Sequence, residues 1–429
     1  MTQSNLAFTD GHEIPKGYKK TEVGVIPNDW NVESLQNLCR SSITYGIVQC
    51  GPHIPNGIPY IRVSDMNSSE LNVDEMLRTS PEIASSFGRS KVEEGDIVYA
   101  LRGKLGEVKM VGTEVSGANL TQGTARIAPK NNIDNRYLLW TLRSPQALKQ
   151  AVKEAKGSTF VEITLGNLKG IGVPLPSSRE EQQKIATALS DTDVLISELE
   201  KLIEKKQAIK TATMQQLLTG KTRLPEFIMR EDGTPKGYKD SELGQIPDDW
   251  EEVLLADAVI FLDGLRKPVK ASNRSTKQGI YPYYGASGIV DYVDDYIFDD
   301  NLILLGEDGE NILSRNLPLA FKVSGKVWVN NHAHVMKPKS DFNINYLTEF
   351  LESLDYSLLN SGTAQPKLNK KTCMNIKVLK PSLAEQILIG NIIEEMDQDI
   401  YLSIKRLNKL KFIKQGMMQE LLTGKTRLV

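Results

Sequence analysis

The most constraining feature of this sequence is that it repeats itself in two places. The segment QLLTGKTRL ends at Leu224, and the segment QELLTGKTRL ends at Leu428. A second pair, Pro15–Trp30 and Pro235–Trp250, shares the pattern GYKxxExGxIPxDW. Self-similarity at a fixed period marks duplicated structural units, and a period of roughly 200 residues is that of a domain rather than of a solenoid turn. The sequence therefore predicts two similar halves.

The order of the repeats predicts a circular permutation. After Gly220 a short link leads to Pro235, whereas after Gly424 the chain ends, and its matching continuation up to Trp30 lies at the N-terminus. Joining the two termini would recreate the middle of the chain. We therefore expect pseudo-twofold internal symmetry, which suits a partner that itself has approximate twofold symmetry.

Composition limits the classes of function. The 429 residues are enough for two or three domains, and 40% hydrophobic with 25% charged residues is ordinary for a globular protein. The sequence has neither a membrane-length apolar run nor a signal-peptide pattern, which predicts no membrane association. Cys39, Cys50 and Cys373 lack paired spacing, which argues against disulfides or zinc and predicts a reducing cytoplasm. At a net charge of −2, any DNA-binding surface has to be local.

The regions between the repeats have the pattern of an α+β fold. Short β-branched and aromatic runs are separated by Gly, Pro and Asn, and helical stretches interleave with them. The predicted helices are Arg136–Lys156 and Asn345–Asn360. The predicted strands are Ile58–Val63, Asp96–Leu101, Ile280–Tyr284, Asn301–Leu305 and Lys326–Asn330.

Two much longer helices are predicted at the ends of the halves. Arg179–Thr219 contains neither Gly nor Pro, and Leu383–Thr423 contains only Gly390 and Gly416. Each segment follows a Pro-Ser pair, a good signal for a helix N-terminus. A helix of this length spans roughly 60 Å.

Apolar residues in both long helices recur in alternating steps of three and four, which indicates coiled-coil packing. A mixed domain lies between the helices, so we expect them to pair within the chain and antiparallel; two independent dimerisation helices are the alternative. The first apolar stripe is Ile185, Leu189, Ile196, Leu199, Ile203 and Leu217. The second is Ile389, Ile393, Met396, Ile400, Leu407, Leu410, Met417 and Leu421, interrupted by Ser403 and Lys414.

The repeated TGKT segment resembles the end of a phosphate-binding loop, but the pattern does not fit. Such a loop follows a strand and has another glycine five residues earlier. Those positions are Gln215 and Gln419, each at the end of a predicted helix. A glycine that ends the helix, followed by basic residues near its negative terminus, explains the segment better.

Two patches in the second half contain candidate binding residues. His332 and His334 lie two apart, which would suit metal binding on one strand face, but no third ligand is evident. Contacts to base edges, or satisfied turn residues, are the alternatives. Gly264–Val290 contains five basic residues, no acidic residue and several tyrosines, which fits either a phosphate-contacting surface or a solvated loop.

No catalytic constellation is evident. The sequence has neither NPP[FY] nor DPP[FY], the active-site motif of amino-methyltransferases, and it lacks GxGxxG, HExxH and a nucleophile elbow. Two similar domains without such a motif favour a recognition protein over an enzyme.

Taken together, the repeats and several internal segments resemble the DNA-specificity subunits of type I restriction–modification systems (HsdS). The segment Gly157–Thr164 departs from the family pattern. The segments that carry the likeness, besides the repeats, are Ile58–Val63, Gly95–Lys109, Gly306–Ile312, Gly325–Val335 and Gly362–Asn369.

This resemblance implies an architecture of two target-recognition domains separated by two long antiparallel coiled-coil helices. The implied division is 1–35 as a segment completing the repeat, 36–178 as the first recognition domain, 179–224 as the first long helix, 225–250 as a connecting repeat, 251–382 as the second recognition domain and 383–429 as the second long helix.

The resemblance also implies the function and the partners. Each recognition domain would read one half of a split double-stranded DNA target, while the helices set the spacer and dock two methyltransferase subunits. Two motor-nuclease subunits would complete a host-defence complex. S-adenosylmethionine, ATP and magnesium would bind those partners and not this non-catalytic chain. A protein-binding scaffold is the alternative.

The candidate DNA contacts are basic, aromatic and amide side chains in the two recognition domains. In the first domain they are Tyr45, Arg62, Arg89, Lys91, Arg102 and Lys104. In the second they are Arg266, Lys267, Lys270, Arg274, Lys277, Tyr283, Tyr284, Asn330, Asn331, His332 and His334.

Overall fold

The computed structural model describes residues 14–68, 70–153, 162–362 and 365–428. Three predictions therefore lie partly outside the described residues: the N-terminal segment before residue 14, the divergent segment over 157–161, and residues 363–364 of its counterpart in the second half. No helix of the described part is long and apolar enough to cross a membrane.

The chain divides into two compact units, each of mixed helix and sheet. Unit 1 comprises residues 1–199 and 406–429, and unit 2 comprises residues 200–405. Each unit thus contains one of the two mixed domains, the N-terminal part of one long helix and the C-terminal part of the other.

Unit 1 is built on a four-stranded antiparallel sheet in the order β4-β10-β7-β8. A smaller sheet, β6-β5-β9, has a parallel β5-β9 pair, and β1-β2 and β3-β11 form antiparallel pairs. The strands are β1 (Tyr18–Thr21), β2 (Gly24–Pro27), β3 (Asn31–Ser34), β4 (Thr44–Tyr45), β5 (Ile58–Ile61), β6 (Arg78–Thr79), β7 (Ile97–Ala100), β8 (Val108–Met110), β9 (Asn119–Leu120), β10 (Thr124–Ile127) and β11 (Gly172–Leu175). The helices are α1 (Pro81–Ser86), α2 (Asn135–Leu142), α3 (Pro145–Lys153), α4 (Leu165–Lys169) and α5 (Arg179–Leu217).

Unit 2 repeats this plan. Its antiparallel sheet has the order β15-β22-β19-β20, its second sheet β17-β16-β21-β18 again contains one parallel pair, and β12-β13 and β14-β23 complete it. The strands are β12 (Tyr238–Ser241), β13 (Gly244–Pro247), β14 (Glu251–Leu254), β15 (Val259–Phe261), β16 (Gln278–Gly285), β17 (Gly288–Val293), β18 (Phe298–Asp299), β19 (Leu302–Gly306), β20 (Ala320–Val323), β21 (Lys326–Val329), β22 (Ala333–Pro338) and β23 (Lys377–Lys380). The helices are α6 (Leu255–Ala258), α7 (Ala271–Arg274), α8 (Asn311–Ser314), α9 (Ile344–Ser353), α10 (Lys370–Met374) and α11 (Leu383–Leu421).

The predicted strands are confirmed as β5, β7, β16, β19 and β21. One predicted helix was wrong as a single element, because it is divided into α2 and α3. Ser144 and Pro145 separate the two: proline lacks the N–H that an unbroken helix would need, and the Ser144 hydroxyl accepts a hydrogen bond from the Ala147 N–H at 3.2 Å. Residues 154–156 of the predicted helix lie outside the described residues.

The other predicted helix was too long. It ends at Ser353 rather than near residue 360, and only Ser357–Leu359 beyond it forms a turn of 3₁₀ helix. Tyr356 is fully buried, and its hydroxyl donates a hydrogen bond to the Leu351 carbonyl at 2.8 Å. Burying this ring turns the chain back towards the core, which a straight helix could not do.

The two long helices are confirmed as α5 and α11, each of 39 residues. Most of the predicted apolar stripe is buried, including Ile185 and Leu189 in unit 1 and Ile389 and Ile393 in unit 2. Ion pairs flank the stripe inside each unit. They join Asp193 to Lys414 at 2.6 Å in unit 1, and Lys210 to Asp397 at 2.6 Å and Lys206 to Asp399 at 2.8 Å in unit 2.

In both units the TGKTR repeat ends a long helix with the same backbone conformation. Gly220 and Gly424 end their helices with φ of +70° and +68°, a left-handed conformation that favours glycine. This confirms the helix-end interpretation of the repeat. Each glycine also packs tightly, because an added Cβ would lie 2.5 Å from Pro247 or from Pro27, respectively.

Three residues beyond the glycine, each repeat places an arginine between two carboxylates. In unit 2 the Arg223 guanidinium donates to Glu385 at 2.7 and 3.0 Å and to Asp249 at 2.7 and 3.1 Å. Glu385 also accepts from the Trp250 indole N–H at 3.0 Å. The glutamate comes from the first turn of α11 and the aspartate from the IPxDW repeat. The arginine therefore joins three separate segments.

Unit 1 contains the same arrangement with residues from both ends of the chain. Arg427 donates to Glu181 at 2.6 and 2.9 Å and to Asp29 at 2.9 Å, and the Trp30 indole donates to Glu181 at 3.3 Å. The side chains of Glu181 and Glu385 are only 2% and 1% exposed. These neighbouring carboxylates raise the pKa of Arg427 above its ordinary value, against the smaller effect of burial.

One packing position differs between the units. In unit 1, Trp140 fills the space beside α5, with the Lys414 ammonium 5.7 Å from the ring centroid. At the matching position of α9, unit 2 has Glu349, which lines a cavity of about 520 Å³. Burial raises the pKa of this carboxyl against the opposing effect of Lys210, whose ammonium lies 3.4 Å away.

Substituting Arg223 with alanine should lower the free energy of unfolding by about 3–5 kcal/mol, because the buried Glu385 would lose its compensating charge. The exposed pair of Arg230 and Asp248 supplies the control: Arg230→Ala should cost less than about 1 kcal/mol. Urea unfolding monitored by tryptophan fluorescence measures both. Equal effects of the two substitutions would contradict a structural role for the buried cluster.

Candidate nucleic-acid interface

In unit 1, four chain segments converge where the strands of the two sheets end. The Thr121 N–H donates to the Ile61 carbonyl at 3.2 Å, and the Leu101 N–H donates to the Gly123 carbonyl at 2.9 Å. The Gln122 N–H donates to the carbonyl of Ile47 at 3.0 Å. We call the resulting surface, formed by residues 45–47, 61–63, 101–104 and 121–123, loop cluster 1.

Several predicted contacts lie on loop cluster 1. Tyr45 is 37% exposed, and Arg102 and Lys104 are exposed without an ion-pair partner among the described residues. Arg62 also lies there, but its guanidinium is engaged by Asp65 at 2.5 Å, and that hydrogen bond raises the pKa of Arg62. Loop cluster 1 thus presents an aromatic ring and two uncompensated cations, chemistry that suits phosphates and bases.

One predicted residue of the first domain lies elsewhere: Lys91 is exposed beside Gly117, at the opposite end of β9 from loop cluster 1. Arg89 is exposed in the turn Gly88–Ser90, which contacts β4. The structure therefore does not bring all six candidates of this domain into one surface.

In unit 2 the corresponding chain segments also converge where strands end. The Glu307 N–H donates to the His332 carbonyl at 2.8 Å, and the Leu368 N–H donates to the Glu307 carbonyl at 2.8 Å. A Cβ on Gly306 would lie 2.7 Å from the Ala286 carbonyl, so the β16-β17 turn comes close to β19. Residues 284–286, 306–309, 330–332 and 365–368 form loop cluster 2.

Loop cluster 2 exposes Asn331 and His332. The His332 Nδ1 lies 2.9 Å from both carboxylate oxygens of Asp308. Three further lysines of the predicted basic stretch, Lys267, Lys270 and Lys277, are exposed without an ion pair among the described residues. These five side chains are the predicted contacts of the second domain that the structure leaves exposed.

Two predicted arginines serve the fold instead. Arg266 is 14% exposed and binds Glu307 and the Ala333 carbonyl, both at 2.7 Å. Arg274 binds Asp291 at 2.9 Å and the Val269 carbonyl at 2.6 Å, with its guanidinium 4.9 Å from the centroid of the Tyr283 ring. Their charges are compensated internally, so the prediction that they contact DNA is not supported.

Four other predicted contacts are also internal. Tyr283, Asn330 and His334 are 2%, 7% and 1% exposed, and half-buried Tyr284 packs against the Phe321 ring. Tyr283 and Tyr284 pack against two different hydrophobic clusters, and Asn330 and His334 are enclosed within the domain. We exclude them from the candidate surface.

His334 belongs to a buried ion pair. Its Nδ1 lies 2.8 Å from Asp263 and its Nε2 lies 2.9 Å from the Leu368 carbonyl, so both ring nitrogens face acceptors. Only the protonated ring donates from both. Burial opposes protonation, but the hydrogen bond to Asp263, then Cys373 and Leu368, outweigh it and raise the pKa of His334 to about 10.

The two histidines therefore do not share a metal site, because one is exposed and the other is buried with its own partners. Within the described ranges there is no group of three or more His, Cys, Asp or Glu side chains arranged to hold a metal ion.

Sequence reasoning missed three residues of the loop clusters: Gln122, Asp308 and Lys367. A comparison of the segments around Gly103 and Gly309 would have pointed to Asp308, because each glycine follows a strand and a charged residue. No pattern singled out Gln122, whose importance comes from where the turn after β9 places it.

Two homologous α+β domains, each with an exposed polar loop cluster, define a duplicated recognition protein. Residues 27–211 and 247–411 match the family of the type I restriction modification DNA specificity domain, and the chain belongs to that family. The match spans more than half of the chain and covers both units.

Curated relatives carry the same kind of name. The chain is 26% identical over 433 residues to a Methanocaldococcus jannaschii protein named as the specificity subunit of type I restriction enzyme MjaX, covering 96% of this chain and 97% of that one. It is 31% identical over 198 residues to the EcoBI specificity subunit of Escherichia coli, covering 45% and 41% of the two chains.

Solved structures support the fold. The S subunit of a type I restriction–modification system from M. genitalium superposes with a TM-score of 0.60 at 18% identity, covering 91% of this chain and 96% of that one. At this level of identity the likeness concerns the fold alone.

Replacing His334 with glutamine should remove a pH-dependent contribution to stability. Because the folded pKa of about 10 exceeds the unfolded value near 6.5, the contribution is complete below about pH 6.5 and is lost as the pH rises through 10. The free energy of unfolding of the wild type should therefore fall more steeply than that of His334→Gln between pH 6.5 and 10. Parallel curves from urea titrations would contradict a charged His334.

Proposed function

We propose that this chain is the non-catalytic DNA sequence-specificity subunit of a type I restriction–modification complex, acting in host defence in the cytoplasm. Each mixed domain reads one half of a split double-stranded DNA target through its own loop cluster. The observation that carries the proposal is the presence of two domains of one plan, each with exposed polar side chains on the same loops, in a chain of the specificity family.

The chemistry of the two clusters fits this role. Exposed lysines suit phosphate oxygens and supply affinity that depends on salt, whereas arginine and amide side chains suit base edges and supply sequence choice. Since the net charge of the chain is −2, the attraction to DNA is local, and the chain alone should bind DNA weakly. Partner subunits complete the DNA clamp.

We further propose that the fold is a circularly permuted repeat joined by an antiparallel coiled coil. The matching closures support the permutation, because Arg223 and Arg427 make equivalent contacts although one lies mid-chain and the other at the end. The helix ion pairs support the antiparallel pairing, since inside unit 2 Lys206 and Lys210 meet Asp399 and Asp397 in reversed order.

Such symmetry accommodates two identical methyltransferase subunits on one chain, with two motor-nuclease subunits joining them. S-adenosylmethionine, ATP and magnesium would bind these partners and not this chain. A solved relative concerns complex assembly of the type I system, with a TM-score of 0.54 at 14% identity. The length of the helices then sets the length of the DNA spacer between the half-sites.

A protein-binding scaffold is the second candidate, favoured by apolar side chains exposed on the long helices, such as Leu195, Leu202 and Phe412. The two candidates differ in their ligand. A scaffold alone would leave the assembled complex without sequence-specific DNA affinity.

The decisive experiment is to co-express the chain with the neighbouring methyltransferase gene in a methylation-free host and to map modified bases genome-wide. A single split motif with one methylated adenine on each strand is expected. Exchanging residues 36–170 for the same region of another such subunit should change one half-site only. A change in both half-sites would contradict the two-reader arrangement, and no motif from a stable complex would favour the scaffold.

Replacing Lys267, Lys270 and Lys277 together by alanine should weaken DNA binding of the assembled complex at every sequence. The slope of log affinity against log salt should become shallower by about 0.9 for each lysine that contacts a phosphate. Filter binding at several salt concentrations measures this slope.

The matched control for this experiment is the triple substitution of Lys201, Lys205 and Lys409 by alanine. These lysines are exposed on the long helices, outside both recognition domains and outside the basic stretch 264–290. An equal change of slope in the control would show that the basic stretch has no special role.

A further inference from the structure

The two loop clusters have matching backbone hydrogen bonds. The Ile163 N–H donates to the Leu101 carbonyl at 3.0 Å in unit 1, and the Leu368 N–H donates to the Glu307 carbonyl at 2.8 Å in unit 2. The next residues form an isolated β-bridge in each unit: Arg102 with Glu162, and Asp308 with Lys367. Arg102 and Asp308 therefore occupy the same place in the two domains.

A second pair is equivalent by the same reasoning. The residue after each parallel-paired strand, Thr121 or Asn330, is followed by an exposed amide, Gln122 or Asn331. Neither amide has a hydrogen-bond partner among the described residues. Both clusters thus present one unengaged amide next to one charged residue.

The charged position is inverted between the domains. Arg102 is exposed and has no ion pair among the described residues. Its β-bridge partner, Glu162, is acidic. The Asp308 side chain is 20% exposed, and a carboxylate oxygen lies 2.9 Å from the His332 Nδ1, which orients it. Its β-bridge partner, Lys367, is basic. A carboxylate has about four acceptor sites, so Asp308 still has capacity for another donor.

Opposite charges at one position select opposite base edges. A guanidinium donates two hydrogen bonds to guanine O6 and N7, whereas a carboxylate accepts from the exocyclic amine of cytosine, and an amide matches adenine N6 and N7. A shared amide would favour the same base in both half-sites, while the inverted charge would favour different bases at another position.

We propose that Arg102 and Asp308 are specificity-determining residues, Arg102 selecting a guanine in the half-site of the first domain and Asp308 selecting a cytosine in that of the second. This inference rests on the proposed function as a DNA specificity subunit. It adds which residue in each domain discriminates and which base each one prefers.

The test uses the complex with its methyltransferase partner in a methylation-free host, with modified bases mapped for the wild type and for single variants. The domain exchange over residues 36–170 assigns each half-site to its domain. Arg102→Ala should relax one guanine of the first half-site, with discrimination lost by roughly 5- to 150-fold, and leave the second half-site unchanged. Asp308→Asn should likewise relax one cytosine of the second half-site only.

Arg136→Ala is the matched control, because Arg136 is an exposed arginine of the same domain on α2. Its neighbour Asn135 bonds the Gly95 carbonyl, which precedes β7, whereas loop cluster 1 follows β7, so this variant should leave the motif unchanged. An unchanged motif for Arg102→Ala or Asp308→Asn, or a wild-type motif without a guanine and a cytosine in the respective half-sites, would overturn this inference and leave the proposed function standing. A stable wild-type complex that yields no motif would overturn both.

Discussion

The structure depends on an arginine that each half holds between two carboxylates, buried in unit 2 and half-buried in unit 1. Arg223 and Arg427 each bind a glutamate from the first turn of a long helix and an aspartate from the IPxDW repeat, next to a tryptophan. A guanidinium suits this task because its planar fork binds two carboxylates bidentately and remains charged when buried. These contacts join three segments of each unit that are far apart in sequence. They explain why TGKTR and IPxDW recur together.

The two halves share this arginine cluster and the fold around it, but they differ in the side chains of the converging loops. The strand order of the main sheet, the parallel pair of the second sheet and the loop convergence are the same in both units. The side chains on the converging loops differ, with Arg102 in one domain and Asp308 in the other. Backbone hydrogen bonds hold the loops in place whatever their side chains are, so the surface can change without loss of the fold. This division between shared fold and variable surface is what a reader of two different half-sites requires.

Much of the fold could be predicted because its signals are local. The long helices follow from uninterrupted periodic sequence, and the strands follow from β-branched runs between turn residues. The break at Pro145 and the early end of α9 were missed, because a hydroxyl cap and the burial of Tyr356 outweigh helix propensity. The candidate site was predicted less well. Arg266, Arg274 and His334 are basic in sequence, but their charges are matched inside the domain by Glu307, Asp291 and Asp263.

The sequence by itself determined the duplication, the α+β class, the two long helices and the family, because repeats and periodicity are properties of the chain alone. Only the tertiary structure decided which charged residues are available to a ligand. Whether a side chain is free depends on partners such as Asp263 for His334, which lies 71 positions away in the sequence. It also depends on the strand ends that bring residues 45–47, 61–63, 101–104 and 121–123 into one surface. Long-range pairing of this kind leaves no local signal, since a buried ion pair forms only where attraction between groups close in space offsets the cost of their desolvation.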